Sequence, residues 1–123
     1  MIRGGVQQEL NELKRLSDNV TVLIDSEREV ENASLPIDRE QFIADCHALG
    51  FKTHVTKLRA FENYFCERAI KEEKGDSFRA LMAYEKLADA PQGWAKSDNW
   101  RIARRMTRDE VLATDVGKFL SEI

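Results

Sequence analysis

The run Val20-Thr21-Val22-Leu23-Ile24, followed at once by Asp25-Ser26-Glu27, constrains the fold more than any other stretch. It is β-branched and too short for a helix of its own, which is the pattern of a buried strand. Burying each large aliphatic side chain is worth roughly 1.5–3 kcal/mol, so the run is expected inside a sheet covered on both faces. Its carboxyl end then presents Asp25 and Glu27 where open α/β sheets hold their ligands. Two positions apart in an extended chain, these carboxylates can point the same way. At about 4 Å and an effective dielectric of about 20, two like charges repel by about 4 kcal/mol. A proton, a basic side chain or a divalent cation is needed to offset that.

The 123 residues suit one domain with one core, predicted to span 1–123. The formal net charge of -3 does not advertise nucleic acid, so any such binding must come from a local patch. Cys46 and Cys66 show no metal-ligand spacing, and Cys46 falls on the apolar face of a predicted helix, as a buried thiol. No signal-peptide pattern precedes residue 20 and no apolar run approaches the roughly 20 residues that span a bilayer. The expectation is a cytoplasmic protein without a membrane partner.

Along the chain, Ile2 reads as the end of a strand and Gly4-Gly5 as a turn. Val6, Leu10, Leu13 and Leu16 have helical spacing, and Ser17-Asp18-Asn19 closes that helix before the strand at Val20. Pro36 suits a helix start, with Asp38 a candidate N-cap. Phe42, Ile43, Cys46 and Leu49 mark one helix face, and Gly50 stops it. Phe51 to Thr56 reads as the next strand, with His54 a strand residue and not a ligand. Strand, helix, strand with short links implies a parallel sheet.

The second half is mainly helical. Phe61, Tyr64 and Phe65 are expected to pack the entry of a helix that runs to about Glu73 and is broken by Gly75-Asp76. Another is capped by Ser77, with Phe78, Leu81, Met82 and Leu87 turned inward. Trp94-Ala95-Lys96 reads as a short strand or loop, and Asn99 to Arg105 as a helix. Thr107-Arg108-Asp109-Glu110 fits a capping box, and Thr114 or Asp115 caps the last helix.

Three groups of residues are candidates for chemistry. Asp25, Glu27 and Glu62 offer oxygen ligands suited to Mg²⁺ or Mn²⁺, against the alternative of a solvated acidic loop. Lys96 lies between Trp94 and Trp100, which suggests a tethered, partly buried segment, although a lone lysine is usually surface. Arg101, Arg104, Arg105 and Arg108 recur at i, i+3, i+4 and i+7, either a phosphate track on one helix face or a solvated face with salt bridges. Haloacid-dehalogenase phosphatases also carry strand-end aspartates, but Glu29 stands where their D-x-D-x-T/V pattern needs Thr or Val. Response-regulator receivers need an acidic pair on an earlier strand, which this chain does not show.

Four pieces in order resemble the later part of a TOPRIM domain of the overcoming-lysogenization-defect (OLD) nuclease family. They are Gly4-Gly5, the VLIDSE strand end at Val22 to Glu27, LRAFENYF at Leu58 to Phe65, and Lys96 with the closing stretch Asn99 to Ile123. The resemblance implies a Rossmann-like, parallel-sheet α/β domain and a Mg²⁺- or Mn²⁺-dependent nuclease acting on DNA. It further implies that Asp25, Glu27 and Glu62 bind metal, with Glu62 also positioning water. Lys96 would stabilise charge on the phosphate, and Ser26 would assist through its hydroxyl or backbone. The family's first motif, E-G-x-x-D on the first strand, would precede Met1, so the domain is expected to lack its first strand. The ABC-type ATPase region of OLD nucleases, with its G-x-x-x-x-G-K-S/T loop, would lie elsewhere in the same chain or in another. A non-catalytic binding or assembly module is the alternative, and an uncovered sheet edge predicts a homo-oligomer.

Overall fold

A computed structural model describes Gly4–Ile123, with side chains from Gln7 onward; the expected strand end at Ile2 lies outside the described residues. The protein is α/β, about half helical, with a small two-stranded parallel sheet. The described residues divide into two compact units, one formed by residues 4–24 with Ser34–Val55 and the other by Asp25–Ala33 with Thr56–Ile123.

The first unit contains α1 (Gly4–Leu16), β1 (Thr21–Ile24), α2 (Ile37–Ala48) and β2 (Lys52–Val55). Gly4-Gly5 thus open α1 and do not form a turn ahead of it. β1 and β2 pair in parallel from Thr21 opposite Lys52 to Ile24 opposite Val55. The core is Leu10, Cys46 and Phe51, with Val20, Val22, Phe42 and Leu49 packed against it. Cys46 is fully buried, as its place on the helix implied, and burial pushes its thiol pKa up. Leu13 and Leu16 complete the apolar stripe of α1 in sequence but stand exposed. β1 is less covered than its composition suggests. Ile24 is buried, while Val22 and Leu23, on opposite faces, are half-buried.

α2 starts after Pro36, so Asp38 lies in the first turn and is not the N-cap. There it still favours the helix dipole. The helix ends in a Schellman motif: Gly50 N–H donates to the His47 carbonyl and Phe51 N–H to the Cys46 carbonyl, both at 3.0 Å. Gly50 makes this possible with a φ of 77°. The same turn drops Phe51 onto Cys46 in the core.

The second unit holds α3 (Glu67–Lys74), α4 (Asn99–Ala103), α5 (Arg108–Leu112) and α6 (Asp115–Ser121), with 3₁₀ turns at Phe61–Tyr64, Leu87–Asp89 and Lys96–Asp98. Phe65, Ala69, Ile70, Leu81, Leu87, Trp94 and Ile102 form its core. The expected helix is α3, ending at Lys74; Phe61–Tyr64 form a 3₁₀ turn ahead of it, and Phe65 and Cys66 are extended between the two. The helix expected at Ser77 does not form. Leu81 and Leu87 are buried and Phe78 packs against them, but Met82 stands 70% exposed. The carbonyls of Met82 and Glu85 accept from Asn63 Nδ2 (2.8 and 2.9 Å). The Met82 N–H goes to Glu85 Oε1 (3.0 Å), and Arg79 grips both Glu85 oxygens. Tertiary and side-chain partners thus replace the helical ladder. The capping box forms as read, with Glu110 N–H on Thr107 Oγ1 at 3.2 Å and Thr107 N–H on Glu110 Oε1 at 2.7 Å. Among the described residues no helix is long and apolar enough to cross a membrane.

Candidate functional site

Every residue of the expected acidic and basic site lies in the second unit. Its foundation is a buried hydroxyl pair. Ser26 N–H donates to Thr56 Oγ1 at 3.0 Å, and both hydroxyls donate to the Leu58 carbonyl at 2.8 Å. Ser26 and Thr56 are fully buried. The Ser26 hydroxyl therefore braces two loop segments, and an assisting chemical role for it is corrected to a positioning one. Arg59 adds to the brace through its carbonyl, which accepts from Glu27 N–H at 2.8 Å, and through Nη1, which reaches the Arg28 carbonyl at 3.2 Å.

Glu27 has a φ of 53°, so the chain is not extended there and the extended geometry behind the expected alignment of Asp25 and Glu27 is absent. A left-handed residue other than glycine costs roughly 1–2 kcal/mol, which its hydrogen bond to Arg59 helps offset. Asp25 Oδ1 accepts the Phe61 N–H at 3.2 Å, at the start of the 3₁₀ turn that carries Glu62. Glu62 is only 5% exposed, and its Oε1 lies 3.4 Å from Lys96 Nζ. The structure thus places the Asp25 carboxylate beside the Glu62 turn and pairs Glu62 with Lys96. Glu27 stands exposed on the loop.

The donor chemistry suits Mg²⁺ or Mn²⁺, which take hard carboxylate oxygens. Among the described residues, however, no three His, Cys, Asp and Glu side chains are grouped to hold a metal by themselves. The fit is to the common Mg²⁺ arrangement, in which one or two carboxylates share the ion with water and substrate phosphates, and not to an all-protein cage.

Each residue of Glu62-Asn63-Tyr64 has its own task. Asn63, buried, uses both amide hydrogens on the Met82 and Glu85 carbonyls and accepts the Ala60 N–H at 3.2 Å. Tyr64 donates to Asp115 Oδ1 at 2.6 Å and accepts the Leu58 N–H at 3.1 Å. Burial, then the bond to Asp115, pushes the Tyr64 phenol pKa far up. Asp115 is thus a clamp on the Leu58-to-Tyr64 segment, while Thr114 caps α6 through the Gly117 N–H at 2.9 Å. The sequence signal for Asp115 was only that of a candidate cap.

Lys96 sits on a 3₁₀ turn, neither strand nor simple loop, with its side chain 71% exposed. Trp94 anchors that turn: it is buried and its Nε1 donates to Asn99 Oδ1 at 2.8 Å. Trp100 is 58% exposed and tethers nothing inward. The arginines do not share one helix, because α4 ends at Ala103 and the capping box begins α5. Arg105 turns to Glu73, Nε to Oε1 at 2.8 Å. Arg101 and Arg104 flank the Trp100 ring, and Arg108 opens α5. The four-residue track is corrected to a smaller group around Trp100.

No protein-family model, curated protein or solved structure matches this chain.

Proposed function

We propose that the Asp25–Glu62–Lys96 edge is the divalent-metal site of a TOPRIM-like nuclease of OLD type that hydrolyses phosphodiesters in DNA. One observation carries the reading: a buried carboxylate, Glu62, is paired at 3.4 Å with an exposed lysine. Beside it the Asp25 carboxylate is fixed on the Phe61 N–H. Asp25 and Glu62, with Glu27 from the adjoining loop, would hold Mg²⁺ or Mn²⁺. A bound ion supplies Lewis acidity toward a phosphoryl oxygen and lowers the pKa of water. Lys96 is a point charge on a flexible stem, able to meet charge that develops on a phosphate oxygen. Ser26 and Thr56 keep the loop that carries Asp25 in register with the Glu62 turn. In this reading the chain works in the cytoplasm alongside an ABC-type ATPase region, in the same or another chain.

Mn²⁺ titration followed by electron paramagnetic resonance tests the site directly, with plasmid nicking as its functional counterpart. Asp25→Ala and Glu62→Gln are expected to weaken Mn²⁺ binding by at least about tenfold. Binding equal to wild type in both variants, or no binding by any of them, overturns the assignment.

A second reading, a non-catalytic assembly module, is favoured by the sheet. It has two strands, so each has an outer edge with no strand neighbour among the described residues. Such an edge invites a strand from another copy, giving a homo-oligomer. Light scattering showing a strict monomer at high concentration counts against it.

A further inference from the structure

We infer that Lys96, Trp100 and Arg104 form a track for single-stranded nucleic acid, with Trp100 as a platform on which an unpaired base stacks. The 3₁₀ turn Lys96–Asp98 runs directly into α4, so these three residues follow one another at intervals of four. Trp100 and Arg104, four apart along α4 and its C-cap, are neighbours on its surface, and Lys96 lies on the turn that leads into that helix. Trp100 is 58% exposed, although its neighbour Trp94 is buried and hydrogen-bonded. Leaving so large an aromatic in water forfeits its burial energy, and nothing in the second unit covers it. Instead the Arg101 and Arg104 guanidiniums stand 5.2 and 5.3 Å from its ring centroid. Arg105 is paired with Glu73 at 2.8 Å, while Arg101 and Arg104 act on that carboxylate, and Arg101 on Asp98, only from beyond ion-pair distance.

The combination selects a ligand. An aromatic face takes any base, and flanking cations take the phosphates, which is how strands are bound without sequence preference. In a duplex the bases are already stacked and offer no face to Trp100. A net charge of -3 excludes binding by bulk attraction and puts the burden on this patch. An acidic peptide would satisfy the arginines but gain nothing from an exposed indole. The inference deepens the proposed phosphodiester site, on which it rests for Lys96, because it names the substrate's form at the edge of that site.

The test uses a 20-nucleotide oligothymidylate in EDTA, so that it does not depend on the metal reading; that reading fails separately, in the Mn²⁺ titration without nucleic acid. Oligothymidylate is expected to quench tryptophan emission. Trp100→Ala should weaken its binding by about tenfold or more, the range for loss of one stacked base. Arg104→Ala should lower the slope of log affinity against log salt by about 0.7, one phosphate contact. A duplex of equal length should bind more weakly. Trp100 and Arg104 are exposed, and unchanged melting temperatures will show that both variants fold. Wild-type affinity in Trp100→Ala, no binding at all, equal binding of duplex, or equal quenching by polyglutamate each overturns the inference.

Discussion

Asn63 supports more of the second unit than one amide suggests. It fastens Ala60 to itself and holds the carbonyls of Met82 and Glu85, 19 and 22 residues away. Replacing it with alanine strands the buried Ala60 N–H on one side and two part-buried carbonyls on the other. Each such group costs roughly 1–3 kcal/mol, so Asn63→Ala should lower the unfolding free energy by about 2–4 kcal/mol in urea titration. Tyr64→Phe removes a smaller share, the bond to Asp115 and the acceptor for Leu58 N–H. A loss of about 1.5–3 kcal/mol is expected, as for a hydrogen bond to a charged group. An unchanged denaturation midpoint in either variant would show that water replaces the lost partner. The Glu62-Asn63-Tyr64 triple was conspicuous in the sequence, but its partners were not. Nothing near Asp115 announces that it meets a tyrosine 51 residues earlier. Local chemistry was legible at the residue scale, and the long-range hydrogen bond was not.

Elements with local terminators were the readable ones. Gly50 and the Thr107–Glu110 box each satisfy backbone groups within a few residues, so sequence alone placed them. Gly50→Ala isolates the conformational part: a Cβ there meets nothing within 4 Å, so the expected cost of about 1–2 kcal/mol is the left-handed φ alone. Gly117→Ala is the opposite case. A Cβ there would overlap the Val111 carbonyl, where α6 packs against α5. Backbone cannot yield cheaply, so a loss of at least about 1–3 kcal/mol is expected, by thermal or urea unfolding. A Gly117→Ala protein as stable as wild type would mean that α6 can move off α5. The elements misread were those decided at a distance. Residues 77–87 have helical apolar spacing, yet Asn63 and Glu85 take the backbone groups a helix would use. The four arginines have helical spacing too, but the box at Thr107 starts a new helix and leaves Arg105 to pair with Glu73. Periodicity marks candidates for the inner face, of which Leu13, Leu16 and Met82 stand exposed; it does not report whether the backbone between them keeps its own hydrogen bonds.

At the scale of the whole molecule, the ionic contacts that lower carboxylate pKa values among the described residues gather in one unit. Glu110, Glu73, Glu85 and Asp98 are all held below the usual carboxylate range, first of all by Arg68, Arg105, Arg79 and Lys74 respectively. All eight residues belong to the second unit. Glu110 is the most depressed, because it also accepts the Thr107 N–H and the Cys66 thiol. A carboxylate with a folded pKa below its unfolded value binds fewer protons when folded, so stability falls as pH falls. Its contribution is complete above the unfolded glutamate value, about pH 4.3, and is lost progressively below it. The side chains of these pairs are partly solvent-exposed, so each contributes modestly and salt weakens it. The second unit should therefore lose stability between about pH 4.3 and the lower folded values. Both tryptophans lie in that unit, and the buried Trp94 reports on it. Its emission should shift to the red at a lower temperature as the pH is stepped down through that window. Glu110→Gln keeps the side chain's shape but removes its charge, so it should melt earlier than wild type at pH 7 and depend less on pH below about 4.3. Equal pH slopes for wild type and variant would show that the Arg68–Glu110 contact does not hold the unit together. A melting temperature that is flat for both from neutral pH to pH 3 would remove the other three pairs from the account as well.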